Sequence, residues 1–357
     1  MMSIKEFMQY IADNVKDYLP PAFENADVTV EEVHKNNDTL LHGIIIRNED
    51  EQACPRIYLD QMYEDYKMGK DLDECVGDVA DVRVEADAPE LAQYMDYLKD
   101  YENAKPMLQV RLCDPEKNKE ANKERVLTKC GDFVATYNLN LNQNKRGVAS
   151  IPVGTAMLEL WNVTKEQLHQ DAMQADKMRT PTFVSVEDVV MNLTDPTYVA
   201  HNYLEDSKDT MDVEPNSLFC LSNENKFNGA SYIIHEDITQ KISEMIGGDY
   251  YVLPSSIHET LIVPDTGLHD VNELEAMVKE VNETQVAPDE ILSDKVQHYD
   301  SKEHILENAR TFEQRKEKEK EQTKGKSIKE RLSDAKKETK GKAVNAPAKQ
   351  KKNELEM

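Results

Sequence analysis

The spacing of apolar residues predicts a helix and then a hairpin at the start of the chain. Apolar side chains recur at intervals of three and four over residues 4–19, and a proline pair ends the pattern. Ser3 and Glu6 form the capping box that is typical of a helix start. Two strand-like stretches, residues 28–34 and 40–47, flank Lys-Asn-Asn-Asp, whose Asn and Asp residues tolerate the backbone of a tight turn.

Further along the chain, short helices and strands follow one another without the regular βαβ order of a parallel sheet. The pattern predicts helices over residues 57–68 and 71–99, and strands over residues 107–112, 132–141 and 148–153.

A ββαββ unit is predicted after these elements. Its strands are residues 217–222, 230–234, 250–253 and 260–263, and its helix ends at Gly247. Hairpins with interspersed helices favour antiparallel pairing. We therefore predict an α+β fold, mainly of antiparallel hairpins with interspersed helices, followed by a charged C-terminal tail that is helical or disordered.

The predicted organisation has three parts. Residues 1–100 hold the N-terminal helix, the hairpin and further helices. Residues 101–300 form an α+β body with the ββαββ unit, either as a second domain or as one domain with residues 1–100. Residues 301–357 form the charged tail.

Charge separates the body from the tail. Residues 313–357 contain 15 basic and 9 acidic residues, whereas residues 1–312 contain 28 basic and 60 acidic residues. The tail therefore carries a net charge of +6 and the body a net charge of −32. Because nucleic-acid binding depends on cationic groups that neutralise phosphates, we expect no direct nucleic-acid binding by the body.

Cysteine usage and the apolar runs indicate a cytoplasmic protein without membrane association. The five cysteines are dispersed and include no Cys-x-x-Cys pair, which argues against a zinc ribbon and a disulfide framework. Such dispersed cysteines suit a reducing cytosol. The N-terminus lacks a signal-peptide cleavage site, and no apolar run approaches the roughly 20 residues that span a bilayer.

One predicted turn carries side chains of the types that occur in binding and catalytic sites. The candidate ligand-binding residues are Ser255, Ser256, His258 and Glu259 in this turn, together with Asn228 from an earlier turn. A hydroxyl, an imidazole and a carboxylate are the groups of a catalytic triad, but neighbours on a strand point to opposite faces. Two interpretations stay open: these groups hydrogen-bond the turn itself, or the turn, joined by Asn228 or Asp265, forms a site.

No metal, cofactor or catalytic motif is complete in the sequence. The His-Glu pairs at 235–236 and 258–259 lack the second histidine of a zinc-protease helix. The glycine pair at 247–248 is better explained as a helix C-cap than as a dinucleotide site. Gly-Lys-Ser at 325–327 lacks the first glycine of a phosphate-binding loop. The apolar neighbours of Cys220 favour core packing over a reactive thiol. We therefore predict no cofactor, no metal and no catalytic residue.

Seven segments of the chain carry a family resemblance. They are HKNND at 34–38, PRIYLDQMYEDYKMG at 55–69, GDFVATYNL at 131–139, WNVTKEQL at 161–168, NGA at 228–230, YYVLPSSIHETLIVPD at 250–265 and VNETQVAPDEILSD at 281–294. Through them the chain resembles DUF5688, an uncharacterised bacterial family. WNVTKEQL is also similar, more weakly, to a segment of the uncharacterised family DUF1444. The resemblance implies a family fold, a bacterial origin and proximity to mobile elements, and it implies no reaction.

Two classes of function remain open. The leading hypothesis is a non-enzymatic accessory or interaction protein of bacterial or mobile-element origin, whose acidic body binds a protein partner. In its narrower form, the body mimics the charge of DNA. The tail segment from Ser327 to Lys336, with a thin apolar stripe, is a candidate docking segment. The alternative is a hydrolase or small-ligand-binding protein with its site near Ser255–Glu259.

Overall fold

The computed structural model describes residues 1–49, 51, 54–85, 96–144, 147–195, 197–206, 213–214 and 216–322. The chain divides into two units, Met1–Asn308 and a second that begins at Ala309. The first unit contains helices and antiparallel sheets, which confirms the predicted α+β class.

The N-terminal part of the first unit packs helices on a three-stranded antiparallel sheet of order β1-β2-β3. Its elements are α1 (Ile4–Asn14), β1 (Asp27–His34), β2 (Leu40–Arg47), β3 (Arg56–Tyr58), α2 (Asp60–Lys67) and α3 (Leu72–Glu85). Phe7 and Ile11 of α1, Ile44 of β2 and Val76 of α3 are completely buried in one core cluster. The apolar face that the sequence predicts for α1 is thus the face that builds this core.

The helix cap and the hairpin that the local sequence predicts are both present in this part of the first unit. The Ser3 side chain accepts the backbone N–H of Glu6, and the Glu6 carboxylate accepts the backbone N–H of Ser3 at 2.7 Å. β1 and β2 pair over their whole length, and the connection between them holds Asn37 and Asp38 at φ values of 57° and 51°. The capping box and the hairpin are therefore confirmed.

The predicted helix over residues 57–68 is wrong at its start. Arg56–Tyr58 forms β3, where Ile57 pairs with Ile44 of β2, and α2 begins only at Asp60. Pairing with a neighbouring strand outweighs the weak local preference of these residues. The predicted helix over residues 71–99 is observed as α3 up to Glu85, and residues 86–95 lie outside the described residues.

The remainder of the first unit contains a four-stranded and a six-stranded antiparallel sheet. Its elements are α4 (Tyr101–Ala104), β4 (Leu108–Cys113), β5 (Thr128–Cys130), β6 (Phe133–Asn144), β7 (Gly147–Pro152), α5 (Thr155–Trp161), α6 (Lys165–Lys177), β8 (Pro181–Ser185), α7 (Val186–Thr194), β9 (Phe219–Asn223), α8 (Glu236–Ile246), β10 (Tyr250–Leu253), β11 (Thr260–Pro264), α9 (Val271–Thr284), β12 (Gln297–Asp300) and β13 (Ile305–Asn308).

Both sheets contribute to one hydrophobic core. The smaller sheet has the order β4-β6-β5 with β7 also paired to β6, and the larger has the order β13-β12-β10-β11-β9-β8. Tyr137 of β6 and Tyr250 of β10 are completely buried in the same cluster as Leu168 of α6 and Ile242 of α8. The two helices therefore pack between residues of both sheets.

The second strand of the predicted ββαββ unit is wrong. Gly229–Ile234 forms a short 3-10 helix, in which the Tyr232 hydroxyl donates to Asp176 O at 2.8 Å and the Ser231 hydroxyl donates to the Asp176 carboxylate at 3.0 Å. These contacts with α6 hold the segment away from a sheet edge. A short apolar run fits either structure by its pattern alone, and here tertiary contacts decide.

The second unit is described up to residue 322. Residues 309–322 form a charged helix, α10, in which Arg315 lies 3.4 Å from Glu319 one turn later. The candidate docking segment from Ser327 to Lys336 lies outside the described residues. Among the helices that the structure describes, none combines the length and apolar character needed to cross a membrane.

Candidate functional site

The turn between β10 and β11 that holds the candidate residues is fixed by hydrogen bonds to itself and to a neighbouring segment. Ile257 N–H donates to Glu290 O at 2.8 Å. Ser255 and Ser256 are 9% and 4% exposed, and the Ser256 hydroxyl accepts the backbone N–H of His258 at 3.0 Å. Ser256 is therefore engaged in the turn's own structure.

His258 and Asn228 are brought together by the fold. The backbone N–H of Asn228 donates to His258 Nδ1 at 3.2 Å, and His258 Nε2 lies 3.4 Å from a carboxylate oxygen of Glu290. The neutral imidazole therefore carries its proton on Nε2, which faces Glu290. Within the described residues, no serine hydroxyl hydrogen-bonds to this ring, so the turn lacks the contact between nucleophile and base that a hydrolase uses.

The Asn228 side chain connects the segment around His258 to β4 of the four-stranded sheet. Its Nδ2 donates to Gln109 Oε1 on β4 at 3.3 Å, while Gln109 Nε2 donates to Phe227 O at 3.0 Å. Asn228 has a φ of 54°, a left-handed conformation that asparagine tolerates better than most residues. Asn228, His258 and Glu290 therefore join three segments that are far apart in sequence. A ligand-binding role for these residues stays a prediction.

The two acidic candidates occupy different places. Glu259 is half-buried beside His258, and burial raises the pKa of its carboxyl group. Asp265 lies at the opposite end of the β10–β11 pair, where it accepts a hydrogen bond from His298 Nε2 at 2.9 Å. That hydrogen bond lowers the pKa of Asp265. The structure thus does not place Asp265 with the turn.

Asp265 belongs instead to a group that can hold a metal ion. Ligand atoms of Asp249, Asp265 and His298 lie within 4.8 Å of one another, and His298 is completely buried. The Asp249 carboxylate also accepts the Ser301 backbone N–H at 2.8 Å. Two carboxylates and an imidazole suit Zn²⁺ or Mn²⁺. Asp249 directly precedes β10, Asp265 directly follows β11 and His298 lies in β12, a placement that spacing along the sequence does not reveal.

A cavity of about 270 Å³ lies elsewhere in the first unit, and the Ser255–Glu259 turn does not line it. It is bordered by the β5–β6 turn, α6, the start of α8 and the β12–β13 hairpin. Its polar lining residues are Cys130, Asp132, His169, Glu236, Thr239, Gln297, Tyr299 and His304, and its apolar ones include Phe133, Ile233, Ile234 and Leu306. This mixture of apolar walls and convergent polar groups is typical of a small-molecule site.

His169 is held in place from behind by Tyr137. The Tyr137 hydroxyl lies 2.9 Å from His169 Nδ1 and 2.6 Å from the Thr128 hydroxyl. Burial lowers the pKa of His169, with a smaller contribution from His235. His169 Nε2 makes no hydrogen bond to any residue that the structure describes. The cavity is therefore lined by an oriented imidazole whose second nitrogen can accept or donate a hydrogen bond.

Asp132 and Gln297 connect the two sheets at the cavity wall. Gln297 Nε2 donates to the Asp132 carboxylate at 3.4 Å, and Asn308 Nδ2 donates to the same oxygen at 3.0 Å. Gly131, with a φ of 60°, supplies the left-handed residue of the β5–β6 turn that presents Asp132. Gln297 is 2% exposed although it is polar, so its buried amide group requires hydrogen-bond partners of this kind.

The thiol in the cavity is poorly suited to nucleophilic chemistry. Burial raises the pKa of Cys130, and its Sγ donates to Thr128 O at 3.6 Å. The thiolate is the reactive form of cysteine, and a raised pKa disfavours it. Outside the cavity, burial raises the pKa of Cys220 to about 12, consistent with its predicted packing role. The cavity therefore offers hydrogen bonds and an imidazole but no activated nucleophile among its described lining residues.

Comparison with known families identifies the chain at the family level. A model described as "Family of unknown function (DUF5688)" matches residues 4–301. The chain belongs to the DUF5688 family. The match covers nearly the whole first unit and confirms the resemblance carried by the seven segments. No curated protein and no solved structure matches this DUF5688 protein.

One of the segments that resemble DUF5688 borders the cavity. GDFVATYNL places Gly131, Asp132 and Phe133 in its wall, whereas WNVTKEQL ends one residue before His169. Residues 132–141 were predicted only as a strand, so the sequence pattern did not reveal the site. The sequence signal for the site was the pair Gly131–Asp132 inside a family segment. The same pair is equally typical of an ordinary turn that has no role in binding.

Proposed function

We propose that this DUF5688 protein binds a small neutral or positively charged molecule in the 270 Å³ cavity. The observation that carries the proposal is the cavity's lining, which combines the carboxylates of Asp132 and Glu236 with imidazole, amide and hydroxyl groups. No lysine or arginine is among its described lining residues. A negative ligand would meet repulsion there, whereas a cation or a hydrogen-bond donor would be stabilised.

Binding is better supported than catalysis. The raised pKa of Cys130 disfavours a thiolate, and no other activated nucleophile is among the described lining residues of the cavity. The volume lies just below the roughly 300–1,000 Å³ range of typical ligand pockets, so the ligand is small. The apolar walls from Phe133 and Ile233 would bury its non-polar part.

Filling the cavity is expected to abolish ligand binding. Leu306→Trp adds a large side chain at a partly buried lining position, and Leu268→Trp adds the same side chain at a site that is 70% exposed. Ligand-observed NMR with cationic, neutral and anionic fragments should give hits in the first two classes. These hits should disappear with Leu306→Trp and persist with Leu268→Trp. Hits confined to anions, or binding unchanged by Leu306→Trp, would contradict the proposal.

We also propose a second function, that of a cytoplasmic accessory protein whose acidic body binds a basic protein partner. The observation that favours it is the separation of −32 on residues 1–312 from +6 on residues 313–357. Opposite charges of this size steer association and suppress wrong partners.

Binding between the full chain and a panel of basic DNA-binding proteins is expected to weaken as salt rises. The screening length falls from about 10 Å at 0.1 M to 3 Å at 1 M salt, so a charge-driven complex dissociates. Pull-downs over a salt series measure this, with an acidic protein of similar size as the control. Truncation after residue 322 removes the segment from Ser327 to Lys336, so the same pull-downs on this shortened chain measure how much the tail contributes to binding. Salt-insensitive capture, or equal capture of the acidic control, would rule out a charge-driven complex.

A further inference from the structure

The four-stranded antiparallel sheet, which contains β4 and β6, has one buried face that is polar instead of apolar. Side chains alternate along β4, so Leu108, Val110 and Leu112 join the hydrophobic core, whereas Gln109 and Arg111 point to the other face. On β6, Asn138 pairs with Gln109 and Thr136 pairs with Arg111. Gln109, Thr136 and Asn138 are 2%, 1% and 6% exposed. A polar sheet face that is shielded from water in this way requires partners for its polar groups.

Two arginines next to this face lack acidic partners. Within the described residues, neither Arg111 nor Arg125 forms an ion pair, and the buried Nε of Arg111 has no hydrogen-bond partner. Burial, followed by repulsion from Arg125, lowers the pKa of Arg111 to about 10. Burial also lowers the pKa of Arg125. At neutral pH both guanidinium groups still carry their charges, and removing an unpaired charge from water is costly.

A shortage of carboxylates does not explain the missing partners. The chain has 69 acidic residues against 43 basic ones. Other shielded arginines in the same unit are paired: Arg83 NH2 contacts Glu51, and Arg179 NH1 lies 3.4 Å from Asp176. The carboxylates that act on the pKa of Arg111 are those of Asp289 and Glu290, and their effect ranks below that of Arg125. The pair thus stands out in an acidic protein.

The two arginines line a shared cavity with neutral hydrogen-bonding groups. Asn36, Cys113, Asn118, Asn122 and Thr136 complete the polar part of its wall, and no carboxylate is among its described lining residues. The cavity holds about 10 Å³, which is close to the space that one water-sized atom needs. It can therefore enclose one oxygen atom.

The loop that closes the cavity is anchored on several sides. Asn36 Nδ2 donates to Ile291 O at 3.1 Å, and Asn37 N–H donates to Asn118 Oδ1 at 2.8 Å. The Asp38 carboxylate accepts the Ala121 N–H at 2.8 Å. These contacts join the β1–β2 connection to two distant segments, so the wall is held in place before any ligand arrives.

We propose that Arg111 and Arg125 form a binding site for the phosphate group of a small molecule, with one phosphate oxygen in the cavity between them. A phosphate near neutral pH carries up to two negative charges, which match the two guanidinium groups. Guanidinium groups also present several N–H donors in a geometry that suits phosphate oxygens. The site is separate from the 270 Å³ cavity, whose lining favours the opposite charge.

Inorganic phosphate tests the proposal on the full chain. Thermal unfolding is followed at constant ionic strength in sodium phosphate, sodium acetate or sodium chloride, and affinity is measured by isothermal titration calorimetry. Phosphate should raise the unfolding temperature in a saturable way, and acetate and chloride should not. Arg111→Gln and Arg125→Gln should each weaken phosphate binding roughly 10- to 100-fold. Arg47→Gln, at an exposed position, should bind phosphate like the unaltered chain.

The unfolding temperature without phosphate gives a second test of Arg111 and Arg125. Without phosphate, Arg111→Gln and Arg125→Gln should unfold at or above the temperature of the unaltered chain, because each removes a partly buried charge that has no ion-pair partner among the described residues. Unfolding well below it would show that the arginines are structural and would overturn the proposal. So would equal stabilisation by acetate and phosphate, or no heat of phosphate binding to the unaltered chain, which decides the matter even where a variant fails to fold. Leu306→Trp should leave phosphate binding intact, which separates this site from the proposed function.

Discussion

Replacing Gly229 by alanine is expected to lower the free energy of unfolding by roughly 3 kcal/mol. A Cβ at this position would lie 2.5 Å from Ser222 Oγ, 2.6 Å from His258 O and 2.7 Å from Ser222 Cα. Two of these atoms belong to the backbone and cannot rotate away. The Ser222 hydroxyl also donates to His258 O at 2.8 Å, so displacement would break that bond. Urea denaturation followed by circular dichroism measures the change.

Gly248→Ala is the matched control, because a Cβ there meets nothing within 4 Å. It should leave stability unchanged or raise it by up to about 1 kcal/mol, since alanine restricts the unfolded chain more than glycine does. Equal stability of Gly229→Ala and Gly248→Ala would mean that the close packing of Gly229 against β9 and the Ser255–Glu259 turn is absent in solution.

Asp176→Ala should destabilise the protein by roughly 3–5 kcal/mol, because it leaves buried groups without their partner. Asp176 is 1% exposed at the end of α6. Its carboxylate accepts the Val110 N–H at 3.2 Å and the Ser231 hydroxyl at 3.0 Å, and it lies 3.4 Å from Arg179. One side chain thus joins α6 to β4 and to the Gly229–Ile234 helix. The free energy of unfolding from urea titration gives the measurement.

The neighbouring residue supplies the control for this variant. Lys177 forms an ion pair with Asp237 at 2.8 Å, in which the two side chains are 37% and 60% exposed. Exposed pairs of this kind contribute about 0–1 kcal/mol, so Lys177→Ala should cost little. A loss of less than about 1 kcal/mol for Asp176→Ala as well would show that this junction tolerates an unpaired arginine and an unpaired N–H.

Several parts of the fold were predictable because their signals are local. The capping box of α1 needs only Ser3 and Glu6, and the left-handed C-cap of α8 needs only Gly247, at φ 85°. The antiparallel hairpin of β1 and β2 follows from alternation and from a turn that places Asn37 and Asp38 in the left-handed region. Such interactions form between residues a few positions apart, so the sequence alone contains them.

Other parts were missed because distant residues decide them. β12 has the sequence Gln-His-Tyr-Asp, which lacks the pattern of a buried strand, and yet all four residues are buried. Gln297 is bonded to Asp132, 165 positions away, and His298 to Asp265, 33 positions away. Polar residues can occupy a buried strand once partners are present, and those partners are invisible to periodicity.

The main features of this protein also divide into those that the sequence determines locally and those that depend on distant residues. The sequence by itself determined the α+β class and the opposite charges of body and tail, because local pattern and composition suffice for them, and seven of its segments carried the resemblance to DUF5688 that the family match confirms. Only the tertiary structure revealed the cavity beside His169, the Asp249–Asp265–His298 group, and Arg111 and Arg125, which have no ion-pair partner in the part of the chain that the structure describes. Each depends on burial and on contacts between distant segments, since an arginine becomes a candidate ligand only when folding removes both water and counter-charge.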